Sequence, residues 1–133
     1  MKLLLDTHIL LWWLNDDEKL PEKAHQLISH ADNVIYVSHI SLWEIQIKVM
    51  TGKLHADLKA IIEQLPVNDF LELPSDVNHF IALSQLPSYH QDPFDRMLIA
   101  HRQLANLCIY SLMIKMSRFM ASQLSWFRGA FYL

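Results

Sequence analysis

The sequence predicts an α/β fold in which a parallel sheet carries helices on both faces. Three observations lead there: apolar runs too brief to be helices, stretches of helical spacing between them, and a regular alternation of the two. Residues 2–5 form the first run, ending on Asp6, and residues 34–37, Val-Ile-Tyr-Val, form the second. Both are β-rich, as strands buried on both faces of a parallel sheet must be. Behind Asp6 the run Ile9 to Leu14 reads as a helix, and residues 21–30 place Ala24, Leu27 and Ile28 at helical spacing with Pro21 suited to a first helical position. Further helices are expected over residues 41–50, ended by Gly52, and 56–65, ended by Pro66. Residues 70–73 read as a strand, 76–84 and 94–104 as helices, and 107–110 as a further strand. Strands joined by helices give a parallel sheet, whose binding crevice lies at the carboxyl ends of the strands.

The length of 133 residues and the 52% hydrophobic content suit one domain with a real core, spanning residues 1–133. The single cysteine, Cys108, rules out an internal disulfide and a Cys-rich zinc site, and fits a reducing cytoplasm, the expected location. Asp6 and His8 interrupt the apolar start. Lys115, Arg118 and Arg128 interrupt the apolar end, so no run approaches the roughly 20 residues that span a bilayer. A soluble protein without a membrane partner is expected. The net charge of −3 argues against a protein that coats nucleic acid through a global basic field. It leaves room for a nuclease, because a carboxylate metal site is itself acidic.

Three acids carry the functional argument. Asp6 follows the first strand, and by itself it reads equally well as an N-cap. Glu44 lies in Ser41-Leu42-Trp43-Glu44, the pattern of a capping box. Asp95 lies in Asp92-Pro93-Phe94-Asp95, where Asp92 suits an N-cap and Pro93 the first helical position. Capping explains each acid singly and does not explain why all three fall at helix starts. In a parallel sheet those starts converge on one edge. Clustered carboxylates repel and raise one another's pKa, which points to a divalent cation with oxygen ligands, Mg²⁺ or Mn²⁺ rather than zinc. The eight histidines show no metal-ligand spacing and read as surface or packing residues. Trp12, Trp13 and Trp43 read as core or partner surface rather than base-stacking platforms.

The blocks Leu3-Leu4-Leu5-Asp6-Thr7-His8, Val37-Ser38-His39-Ile40-Ser41-Leu42-Trp43-Glu44-Ile45 with Lys48 and Gly52-Lys53-Leu54, and His90-Gln91-Asp92-Pro93-Phe94-Asp95-Arg96-Met97-Leu98-Ile99-Ala100 resemble, in order and spacing, the motifs of PIN-domain ribonucleases of the VapC-like toxin type. The resemblance covers about residues 1–109. It implies a PIN-like three-layer α/β/α sandwich with a central parallel sheet, and metal-dependent endonucleolytic cleavage of RNA by the toxin component of a type II toxin-antitoxin system. Asp6, Glu44 and Asp95 match three of the family's four acidic positions and are the expected catalytic and Mg²⁺ or Mn²⁺ ligands. Thr7 and Ser41 match supporting polar positions, and Asp92 matches an acid beside the site. The expected partners are an RNA substrate, a small antitoxin protein and a second copy of the chain.

The segment 110–133 is atypical. The family places a fourth acid in a Thr/Ser-x-Asp stretch here, whereas this chain reads Ser111-Leu112-Met113-Ile114-Lys115 and has no Asp or Glu after Asp95. A frameshift would account for it: Met113-Ile114 is encoded ATG-ATN, and reading two bases on gives GAT, an aspartate codon. A Leu112 codon ending in C would restore His-Asp. The tail is then expected to lack the last strand, and the site to hold its metal loosely. A catalytically impaired remnant that binds antitoxin or RNA without cleaving is the alternative reading. A haloacid-dehalogenase-like phosphatase is disfavoured, because His8 stands where its second aspartate is needed.

Overall fold

The computed structural model describes residues 1–86 and 92–104. Strands β1 (Lys2–Leu5), β2 (Val34–Ser38) and β3 (Phe70–Leu73) form a parallel sheet in the order β1-β2-β3. Leu3 pairs with Ile35, Leu5 with Val37, and Ile35 in turn with Phe70. Successive side chains of a strand point to opposite faces, and here both faces are apolar. Leu3, Leu5, Ile35, Val37 and Phe70 enter one core cluster, while Leu4 enters a second against which Tyr36 and Leu73 pack.

Six α-helices lie among the described residues: α1 (Thr7–Leu14), α2 (Glu22–Ser29), α3 (His39–Met50), α4 (Leu58–Val67), α5 (Val77–Ala82) and α6 (Pro93–Leu104). The first cluster takes Ile9 and Leu10 from α1, Ala24 and Ile28 from α2, Leu42 and Ile45 from α3, and Ile61 and Leu65 from α4. Both crossovers therefore land on the same face, as successive right-handed βαβ connections require. Met97 and Leu98 of α6 pack with Leu4 and Ile40 in the second cluster, on the other face. Helix, sheet and helix make three layers, the α/β sandwich expected from the alternation of elements.

Several boundaries differ from the sequence reading, each for a local reason. Ser38, the last residue of β2, caps α3 with its hydroxyl, which accepts the Ile40 N–H at 3.0 Å. The helix therefore starts at His39, and Ser41 and Glu44 stand inside it instead of forming a capping box. Asp57 caps α4 by accepting from the Lys59 and Ala60 N–H groups, which moves its start to Leu58. That helix also runs through Pro66 to Val67, one residue past the proline expected to end it, so that only Val67 follows the lost ladder bond. Pro21 is extended and precedes α2 rather than opening it. Asp76 caps α5, which gives way after Ala82 to a 3-10 turn, Leu83–Gln85. The strand expected over 107–110 and the atypical segment 110–133, with the last strand expected to be missing, lie outside the described residues. No helix among the described residues is long and apolar enough to cross a membrane.

Leu98 is 1% exposed and anchors α6 on the sheet. Leu98→Ala should lower stability by about 2–5 kcal/mol through lost burial and the cavity left behind. Urea unfolding measures this, and a near-neutral result would show that α6 does not close the second core.

Candidate functional site

The end of β1 and the starts of helices α1 and α6, with one side of α3, wall a cavity of about 390 Å³. Asp6, Glu44 and Asp95 all line it, together with Thr7, His8, Lys48, Lys53 and Asp92. The parallel register makes this convergence possible, since it brings the ends of β1 and β2 side by side with Leu5 against Val37.

Asp6 leaves β1 in an extended conformation and caps α1, its Oδ1 accepting the Ile9 N–H at 2.9 Å. It is 4% exposed. Glu44, also buried, projects from α3 with both oxygens engaged: Oε2 accepts from the Thr7 hydroxyl, and Oε1 lies 2.8 Å from the Lys48 ammonium. Asp95 sits in the first turn of α6. Asp92 caps that helix, accepting the Phe94 N–H at 2.8 Å and the Asp95 N–H at 3.3 Å. Its capping role and its place in the cavity wall coexist. Thr7 is buried and orients Glu44. Ser41 does not line the cavity; its hydroxyl is buried within α3 and has no hydrogen-bond partner.

The sequence profile of the PIN domain family matches residues 3–111. The chain belongs to the PIN domain family. PIN domains are generally nucleases that use divalent metals. Neither the curated proteins nor the solved structures yield a match to this chain.

Among the described residues the PIN site gathers four acids, Asp6, Glu44, Asp92 and Asp95, and two lysines, Lys48 and Lys53. Burial pushes the Asp6 carboxyl up to about 7, and the negative charges of Glu44 and Asp95 add to the rise, against the lowering effect of the Ile9 N–H. The donors are all oxygens and mutually repulsive, a set that fits a hard divalent cation. As the side chains stand, however, no group of three or more among the described His, Cys, Asp and Glu residues is arranged to hold a metal ion. Sequence reasoning noted Lys48 only as part of a motif and missed its contact with Glu44. The signal was there, since Glu followed four residues later by Lys is the favourable order on a helix.

A second buried titratable group stands outside the cavity. His101 of α6 is fully buried, its Nδ1 lies 3.0 Å from the Ser38 hydroxyl, and its Nε2 has no partner. Burial, followed by the nearby His79 and His39, pulls its pKa down to about 4. The two groups pull stability in opposite directions. A histidine with a depressed pKa contributes stability that is complete above its unfolded value near 6.5 and is lost as the pH falls towards 4. A carboxyl raised to about 7 costs stability as the pH rises from about 4 through 7, and the folded state recovers it on acidification. Asp6→Asn, which keeps the N-cap, should therefore stabilise the metal-free protein above pH 7 by an amount of the order of a few kcal/mol. Its melting temperature should then fall more steeply than that of the parent on acidification from about pH 6.5 to about pH 4. Parallel pH profiles for the two proteins would contradict the assignment of a raised pKa to Asp6.

Proposed function

We propose that this chain is a metal-dependent endoribonuclease, the VapC-like toxin component of a toxin-antitoxin pair, with Asp6, Glu44 and Asp95 as ligands of Mg²⁺ or Mn²⁺. The observation that carries this reading is that three carboxylates from three separate elements line one cavity in a PIN domain, where burial and mutual repulsion raise the Asp6 carboxyl. A divalent cation bound there would stabilise charge on a scissile phosphate and activate an attacking water. The chain's own residues prepare for that chemistry. The Ile9 N–H holds Asp6 in place at the cavity wall, and Thr7 fixes the plane of the Glu44 carboxylate. Asp92 holds the first turn of α6, which carries Asp95. The antitoxin would cover apolar helical surface, of which Trp43, Phe80 and Ile81 are exposed examples, and a second copy of the chain would complete the assembly.

Two observations favour a second reading, an impaired remnant that binds without cleaving. The chain has no acid after Asp95, and no ready-made metal group stands among the described residues. A three-carboxylate site holds its ion more loosely than a four-carboxylate one, because each lost anion removes attraction.

The full chain incubated with single-stranded and structured RNA should cleave only with Mg²⁺ or Mn²⁺. Glu44→Gln and Asp95→Asn should each lower the rate about a hundredfold or more, which corresponds to about 2.7 kcal/mol of transition-state stabilisation. Cleavage that persists in excess EDTA would overturn the metal mechanism. If cleavage is absent at saturating Mn²⁺ yet appears when the alternative reading frame is restored from about residue 109, the remnant reading holds.

A further inference from the structure

The Lys48 ammonium and the Glu44 carboxylate form an unequal pair. The Glu44 side chain is 10% exposed and fixed by the Thr7 hydroxyl, whereas the Lys48 side chain is 31% exposed at the cavity wall. The carboxylate cannot turn to another partner without breaking its bond to Thr7. The ammonium can swing towards water on its flexible stem, because about a third of the Lys48 side chain is already exposed. It occupies Oε1, the one Glu44 oxygen that Thr7 leaves open. A cation sharing that oxygen with an ammonium at 2.8 Å would meet like-charge repulsion at close range.

We infer that Lys48 is the resident counter-ion of the acidic cavity, and that a divalent cation must displace its ammonium from Glu44 before it can use that carboxylate. This rests on the reading of the cavity as a divalent-cation site. Exchange of this kind accounts for the arrangement of the acids: they line one cavity, and among the described residues no three of them close on one point with Lys48 in place. Lys53 provides the contrast. It lines the same cavity, reached by the turn at Gly52, whose φ of +73° suits glycine, but it makes no ion pair with Glu44.

The test is calorimetric titration of Mn²⁺ into the full chain at neutral pH, with the metal-free melting temperature as a second readout. Lys48→Met should bind Mn²⁺ about threefold to tenfold more tightly than the parent, since the ion no longer competes with an ammonium. It should also melt at a lower temperature without metal. Lys48→Arg, which keeps the charge, should restore the parent affinity, and Lys53→Met should change it by less than about twofold. Equal or weaker binding by Lys48→Met, with the parent still binding Mn²⁺, would overturn the displacement while leaving the cation site standing. A gain of the same size in Lys53→Met would reduce the effect to the general field and overturn it too. If neither the parent nor Lys48→Met binds Mn²⁺, the cation reading of the cavity falls, and the displacement with it.

Discussion

Carboxylates held together at one edge of a parallel sheet, two of them almost out of contact with water, create a negative charge that everything around them must offset. In a sheet of parallel strands, each chain reversal after a strand occurs at the same edge, so the residues that start the following helices share a neighbourhood. Asp6 directly follows β1 and Glu44 lies on the helix after β2, so both inherit their position from the register of Leu5 against Val37. Asp95 joins them from the opposite layer, because α6 begins at that edge with its first turn in the cavity wall.

Contacts among the described residues offset part of that charge and help to hold the acids in place. The Ile9 N–H serves Asp6, and the start of α6 presents N–H groups to Asp92. Helix N-termini favour anions, both through these unpaired donors and through the macrodipole. Glu44 sits too far along α3 to share that benefit and relies on side chains instead, a hydroxyl from α1 and an ammonium from its own helix. Local capping and cavity building are therefore one arrangement at Asp6 and Asp92, and separate ones at Glu44.

That overlap also decides how much could be read from the sequence. The strands were legible because apolar runs such as Leu3-Leu4-Leu5 have no other economical reading at that length, and β1 and β3 have the bounds expected. The helix starts were less so. Ser38 and Ser41 are both competent caps, and which one acts depends on where β2 stops pairing with β3, a tertiary fact. The end of α4 falls two residues past the expected one, because Pro66 lies within the last turn instead of beyond it. At the site, the convergence of the acids on one edge followed from topology alone. The ion pair of Glu44 with Lys48 was legible in their helical spacing, though not which Glu44 oxygen it takes, and the buried imidazole of His101 looked like one more scattered histidine.

The bond between that imidazole and Ser38 reaches further than its own neighbourhood. The same hydroxyl that starts α3 is tied to α6 across the sheet, so the two helices bearing Glu44 and Asp95 are referenced to a single oxygen atom. Neither group touches the cavity. The spacing between two acids of the cavity wall is in this way tied to a buried joint away from the cavity, like the span of a caliper fixed at its pivot. A change at Ser38 or His101 would leave every acid present and alter the gap between them.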